Sequence, residues 1–555
     1  MIINYLNYCV VPKYSEIFEK NVTDEEFVAL LSSIPCGKAI FILSRFESLQ
    51  RECIKNDEKA VDLYLSLKEF HFLHILTLGG DNKNTYNNYK LITCLNAIFM
   101  LEKLALRYCP ICNISVVTLD DILTIMDLLL CINEKLPEDD VINHEVEFLY
   151  LTLFYNDTKK IANQIARSYY IFSEIIKENP SLAIFIEECN KKSGFSVEDR
   201  LTVLFASLTN TIPREFTIRD VFYNYSIVPI DGFDAKGLSD VYIRVMQSLS
   251  CDYGEMRSEV EKILDLEWNF EPFYRKPFLK IGDELYPLAE PFVVYQMWEG
   301  LYWNLRYTLP ADGERFMTQF GTLFESYVRE ITQAAVSESG LALFQDEFFY
   351  YRNKNKIASS DCYFRVENTI VVVEAKAKSP SSGTLTKFNR GEIEKEVDDL
   401  IVSPVNQALA RLEEITSRNV VLGSKEKQFF SNIKEVIILS VSIEKVQPIG
   451  ELLAPIDKSL AEEMSVAKVT AYHNVNIEEF EIICDLLESK TMELSSILTD
   501  WYQCQRKDKL SAVLLRNYLH ENKISYNSSK RVLQIFDEVN KKMYKRTFDE
   551  EMPNR

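Results

Sequence analysis

From the N-terminus to about residue 265, apolar positions recur every three or four residues. The stretches Tyr89 to Cys109 ("YKLITCLNAIFMLEKLALRYC"), Asp120 to Leu136 ("DDILTIMDLLLCINEKL") and Arg257 to Trp268 ("RSEVEKILDLEW") each predict a helix with one apolar face. No internal period is evident, so a solenoid is not predicted, although degenerate repeats leave a helical array open. Near residue 270 the pattern changes. Lys276 to Pro291 holds two short strand-like pieces around Gly282-Asp283, a two-residue hairpin signal. An aromatic-rich helix over Pro291 to Tyr307 is expected to seat that hairpin on the next domain.

From 311 to about 445 the pattern is mixed. Glu314 to Val336 reads as a helix and Leu341 to Tyr351 ("LALFQDEFFYY") as one strand. "DCYFRV" and "TIVVVEAK" read as two strands joined by a tight turn at Glu367-Asn368. A helix is expected next, over Ser403 to Ile415, with Ser403 as its N-cap and Pro404 in its first turn, then a strand over Glu435 to Ile443. The tail offers a strand in "SVAKVTAYHN", then a helix opening on Asn476 and Glu479 at capping-box spacing. The expected fold is multidomain: a helical region over 1–265, a hairpin-and-helix link over 266–310, an α/β domain with a mixed sheet flanked by helices over 311–450, and a strand–helix extension over 451–555.

Composition agrees with a helical, globular chain. Of 555 residues 47% are hydrophobic and 26% charged, and Gly (16) and Pro (17) are scarce. Twelve cysteines form no regular framework, no basic segment followed by an apolar run opens the chain, and no run approaches the roughly 18 apolar residues of a membrane span. A reducing cytoplasm and no membrane partner are therefore expected. The net charge of −21 argues against a general coat on nucleic acid. Between Arg352 and Arg390, however, eight basic residues meet three acids. Arg352, Lys354, Lys356, Lys378, Lys387 and Arg390 are the candidate phosphate contacts of this local island, with a solvated lysine-rich loop as the plain alternative.

The centre of that island carries the chemistry. Residues two apart on a strand share a face, so Glu374 and Lys376 lie together at the tip of the most apolar strand, while Val371 and Val373 face the other way. Asp361 precedes Glu374 by the length of a hairpin, which can bring the two carboxylates side by side. Such a pair repels unless a cation lies between. Oxygen ligands with water completing the shell suit Mg2+, with Mn2+ as a substitute. Lys376 can orient a water and offset charge developing on phosphorus. A lone Glu-x-Lys means little: Glu488 to Lys490 repeats the spacing on a solvated helix face. Glu325, in "FGTLFESYV", lies close to apolar positions, where a carboxylate needs a partner or a metal. Gln407 is placed to hydrogen-bond a nucleotide or a water. For both, an ordinary helix residue is the plain alternative.

Glu325, Asp361, Glu374-Ala375-Lys376 and Gln407, in the order helix, strand, strand, helix, resemble the PD-(D/E)XK nuclease superfamily with its restriction-endonuclease-like fold. The resemblance spans about 311–445 and lacks the eponymous proline, since Ser360 precedes Asp361. It implies that Asp361, Glu374 and the backbone carbonyl of Ala375 bind the metal, that Glu325 supports it, and that Lys376 is catalytic, with Gln407 assisting. The joining of a large helical region to one such domain also resembles bacterial defence effectors. The expected function is a Mg2+-dependent nuclease, with DNA favoured as substrate and internal cutting favoured over end-directed cutting. The helical region is expected to sense, regulate, bind a protein partner or self-associate. The alternatives are a non-catalytic scaffold that uses a nuclease-like fold and a helical adaptor for protein alone.

Other signals are weaker. "CPIC" at Cys109 to Cys112 has no second pair to complete a zinc site. His71 and His74 lie on an aromatic helix stripe, and five histidines in all leave little for a histidine-based hydrolase. "IPCGKAI" around Lys38 lacks the first glycine and the Ser/Thr of a phosphate loop, so no nucleotide-binding motif is present.

Overall fold

The computed structural model describes residues 11–548 apart from 55–56, 81–85, 88, 90, 112–115, 136–148, 152, 155–158, 212–215, 224–236, 266–267, 353–354, 382–383, 385–389, 417–419 and 510. Among the described residues the chain is mostly helical, with its sheets beyond residue 249, and it divides into two compact units. One comprises Met1–Gln164, Glu187–Leu305 and Lys541–Arg555, the other Ile165–Ile186 and Arg306–Asn540. Among the described residues no single helix is long and apolar enough to cross a membrane.

In the first unit, α1 (Cys36–Ile54) is buried nearly all round and packs against α2 (Glu58–Thr77), α3 (Leu95–Tyr108) and α4 (Leu119–Lys135). A helix enclosed on every side must pair its polar groups internally. Glu47 and Arg51 of α1 do so one turn apart, and Lys38 meets Asp121 at 2.9 Å. His71 bonds Tyr86 and Asp127, and His74 bonds the second oxygen of Asp127, so both histidines serve the packing of α2 on α4. Cys109 is a buried free thiol, and its expected companion Cys112 lies outside the described residues. The predicted hairpin forms as β2 (Phe278–Ile281) and β3 (Glu284–Pro287), with Gly282 at φ 63° in the turn. Its third strand, β1 (Ser250–Asp252), runs parallel to β2 and falls within the region expected to be helical. The expected single helix over 291–307 is two, Glu290–Tyr295 and Glu299–Thr308.

The second unit is built on a five-stranded sheet in the order β10-β9-β8-β7-β4. Its strands are β4 (Leu343–Asp346), β7 (Cys362–Val366), β8 (Thr369–Lys376), β9 (Glu435–Ser442) and β10 (Val469–Asn476). The expected single strand over 341–351 breaks at Glu347-Phe348. Its second half is β5 (Phe349–Arg352), which leaves the sheet and pairs with β6 (Asn355–Ala358) in a separate two-stranded ribbon. The sheet also runs past the boundary expected at 450, because β10 pairs in parallel with β9. Parallel pairing joins β8, β9 and β10, while β7 runs antiparallel to β8 and to β4, which makes the sheet mixed. β8 lies at its centre, which accounts for a continuous apolar run instead of alternation: both faces are covered.

Helix α5 (Gly313–Ser339) packs on β8, β7 and β4 and on α8 (Ile477–Ser489), and buries Leu323, Phe324, Tyr327, Val328, Ile331 and Ala335. Helices α6 (Arg390–Val397) and α7 (Ser403–Thr416) are joined by a π-helical turn at Asp398–Val402, and α7 packs on β8 and β9. Ser403 therefore has helical angles, φ −63° and ψ −45°, and is no N-cap. Pro404 cannot donate to the carbonyl four residues back. That carbonyl, of Leu400, accepts Ser440 Oγ of β9 at 2.6 Å, which pins the π turn to the sheet. On α8 (Ile477–Ser489), Asn476 caps as expected, its side chain accepting from Glu479 N at 2.9 Å.

Candidate metal centre at the end of the central strand

The turn between β7 and β8 sets the register of the two strands. Glu367 takes the left-handed conformation, φ 51°, and Arg365 Nε donates to the Glu367 carbonyl at 2.5 Å. From this turn the register runs Val366↔Thr369 through Cys362↔Val373. One step further, it sets Asp361 across from Glu374. A one-residue slip would turn Glu374 to the other face of the sheet, so the buried valines that lock the register also aim the carboxylate.

Beyond the last ladder pair, the Ala375 amide donates to Asp361 Oδ2 at 2.6 Å. Glu374 has no exposure at all. Its Oε2 accepts Lys376 Nζ at 3.4 Å, while its Oε1 is buried with no hydrogen-bond partner among the described residues. Ser360 Oγ, close enough to favour the Glu374 carboxylate, is likewise buried and makes no hydrogen bond of good geometry. Lys376 Nζ also reaches Gln407 Oε1 at 3.4 Å. Both ammonium contacts are long, so Lys376 is held loosely between β8 and α7 and can swing toward a third group.

The carboxylates sense one another. Burial raises the Glu374 carboxyl above its usual range and nearby Asp361 raises it further, against the opposing pull of Lys376. Burial also raises Asp361, although the Ala375 amide, Lys376 and Arg329 pull it down. Glu325, from the middle of α5, is pushed up to about 7 by burial and then by Asp361. Glu347, at the break between β4 and β5, is raised by the same two causes. Crowded carboxylates of this kind are stabilised by protons or by a cation. Sequence reasoning missed Glu347 and Arg329. The signal for Glu347 was the acidic pair Asp346-Glu347 inside an otherwise apolar strand. Arg329 stands one helical turn after Glu325 and also lies 3.6 Å from Asp346.

Among the described residues no three His, Cys, Asp or Glu side chains are gathered at coordinating distance. A divalent ion here would rest on two carboxylates with water, and the bare buried oxygen of Glu374 opposite Asp361 fits that role. Glu325 is near enough to Asp361 for their charges to interact. The peptide N–H of Ala375 is committed to Asp361, and Ala375 itself is buried in the strand.

The basic island is less free than its sequence suggests. Arg352 pairs with Glu414, Lys378 with Asp399 at 3.1 Å and Arg390 with Glu394 at 3.6 Å, all with exposed basic ends. Lys356 lies over the Phe349 ring, 3.8 Å from its centroid. Arg365 is spent on backbone carbonyls, that of Glu367 in its own turn and that of Phe429. Lys354 and Lys387 lie outside the described residues.

Comparison with known proteins gives no match: no family model, no curated protein and no solved structure aligns with the chain.

Proposed function

We propose that the second unit is a divalent-metal-dependent phosphodiesterase acting on nucleic acid, in the manner of the PD-(D/E)XK nucleases. The observation that carries this reading is Glu374: a fully buried carboxylate with one bare oxygen, set across from Asp361 and beside Lys376. Asp361 and Glu374 would hold Mg2+ or Mn2+, with Glu325 adding negative charge that favours a cation beside them. Bound there, the ion would polarise a phosphoryl oxygen and lower the pKa of a coordinated water.

The chain's own groups supply the rest. The Ala375 amide keeps Asp361 facing the reacting phosphate's position and favours its ionised form. Lys376, loosely shared between Glu374 and Gln407, can turn to a non-bridging oxygen as negative charge builds on phosphorus. Water adds to phosphorus and gives up a proton to solvent, the P–O bond to one sugar breaks, and the departing alkoxide takes a proton from a solvent water, leaving a phosphate monoester and a sugar hydroxyl. Gln407 returns the ammonium to place afterwards.

The test is a panel of single- and double-stranded DNA and RNA with Mg2+ and Mn2+, run beside Glu374→Ala. Cutting by the wild type that Glu374→Ala abolishes supports the reading. Absence of cutting on every substrate, or full activity in the variant, rejects it and leaves the scaffold alternative.

A further inference from the structure

The β5–β6 ribbon carries an arrangement that packing does not explain. An isolated two-stranded ribbon is marginal in water and must be held by its surroundings. One face of this one is held. Tyr350 is buried and its hydroxyl donates to Glu414 Oε2 at 2.6 Å, and Arg352 pairs with the same carboxylate. Glu414 lies two turns beyond Gln407 on α7, so the ribbon is moored to the helix that contacts Lys376. At its base, Phe348 and Ser359 exchange two hydrogen bonds, Phe348 N to Ser359 Oγ at 3.0 Å and Ser359 N to the Phe348 carbonyl at 2.9 Å. Ser359 is two residues before Asp361.

The other face is where a solvated ribbon would place polar side chains. It carries Phe349 and Tyr351 instead, 55% and 59% exposed. They are two apart on one strand and so share a face. Tyr351 stands directly across from Lys356, whose ammonium lies over the Phe349 ring. Two rings and one cation thus form a single outward surface on an otherwise acidic chain. Phe349 is one residue and Tyr351 three residues out from Phe348, about 3 Å and 10 Å at the usual strand rise of about 3.3 Å per residue.

We propose that Phe349, Tyr351 and Lys356 form a stacking platform for unpaired bases, so that the substrate of the neighbouring centre is single-stranded or locally opened nucleic acid. The proposal rests on the phosphodiesterase reading for its substrate and on the ribbon alone for its binding. A base takes the place of the ammonium on the Phe349 ring, a second base stacks on Tyr351, and Lys356 moves to the phosphate between them. Paired bases keep their faces stacked on one another and offer none to the rings, whereas unpaired bases of any sequence have a face to give.

The test uses the full chain in EDTA, so that nothing is cut, and fluorescence anisotropy with a labelled thymidine oligonucleotide of about 12 residues, within the usual single-strand site sizes. A blunt duplex of the same length is the comparison. Expected are preference for the single strand and its weakening by about 5- to 150-fold for each of Phe349→Ala and Tyr351→Ala, with Tyr351→Trp retaining affinity. Lys356→Ala should reduce the slope of log affinity against log salt by about 0.7 on the single strand. Unchanged single-strand affinity in the Phe349→Ala/Tyr351→Ala double variant, its melting curve matching the wild type, would overturn the proposal, as would equal loss on the blunt duplex. If no metal supports cutting yet the oligonucleotide binds through these rings, the phosphodiesterase reading fails and the platform stands. If the wild type cuts and the double variant binds and cuts alike, the reverse holds.

Discussion

Asp361 Oδ2 accepts the amide proton of Ala375 at 2.6 Å, and this bond ties the acid to the residue following Glu374. The bond is possible because β7 stops at Cys362, which leaves the Ala375 amide open to a side chain. The amide favours ionised Asp361, while burial and the facing carboxylates work against charge. The pair is therefore held together by backbone geometry before any ion arrives.

Asp361→Asn keeps an oxygen for the Ala375 amide and removes one of the crowded charges. The expected outcome is a protein that, in EDTA and at neutral pH, melts no lower than the wild type but has lost phosphodiester cleavage. A large drop in melting temperature would mean that the carboxylate serves the fold, and retained cleavage would mean that it serves nothing at this site.

Lys376→Ala should lower the rate constant for cleavage by about 10²- to 10³-fold, the usual effect of removing one donor aimed at transition-state charge. Metal affinity should change far less. Gln407→Ala, which acts only by holding the ammonium, should cost less than Lys376→Ala. Single-turnover kinetics beside a metal titration separate the two effects, and equal losses for the two variants would contradict the assignment.

The raised carboxyl of Glu325 makes a pH prediction. Its pKa is about 7 in the fold against 4.5 for an ordinary glutamate, so between those values the native chain holds a proton that the unfolded chain has released. Stability from this group then falls as pH rises from about 4.5 to about 7 and is level above. In EDTA, thermal melting of wild type and Glu325→Gln should diverge over that window, with the variant gaining on the wild type as pH rises. Metal uptake by the wild type should release protons in the same window and tighten with pH. A melting-temperature difference, variant minus wild type, that stays constant or falls as pH rises would contradict the assignment.

Away from the site, Arg167 and Glu481 form a buried two-bonded ion pair, 2.9 Å at each bond, and Tyr327 donates to the same carboxylate at 2.7 Å. This joins the segment Ile165–Ile186 to α5 and α8. Arg167→Ala removes the cation facing the buried Glu481 carboxylate and should cost about 3–5 kcal/mol in chemical denaturation, whereas replacing both partners by apolar residues of similar volume should cost far less. Equal losses for the single and the double replacement would contradict this.

What could be read from sequence was what neighbouring residues determine. The β7–β8 hairpin was visible because Glu367-Asn368 interrupts two apolar runs, and the alternation beyond it put Glu374 and Lys376 on one face. Glu325 and Gln407 were placed on their helices by periodicity, though not the sides of the sheet from which they approach. What depended on distant partners was not visible. The break at Glu347-Phe348 is set by the pairing of Phe348 with Ser359 and of β5 with β6, and it leaves Glu347 within charge range of Asp361. Ser403 read as a cap because a Ser-Pro step usually opens a helix. Ser440, 37 residues on, takes the Leu400 carbonyl and lets the helix run through. The basic island counted charges without the acids that Glu394, Asp399 and Glu414 bring to them.

The most direct measurement is a calorimetric titration of Mn2+ into the metal-free chain near pH 7.5, wild type against Glu374→Ala. Saturable uptake by the wild type, with proton release and with loss of the binding heat in Glu374→Ala, is the predicted result. No uptake by the wild type, or the same uptake by both proteins, would contradict a metal centre between Asp361 and Glu374.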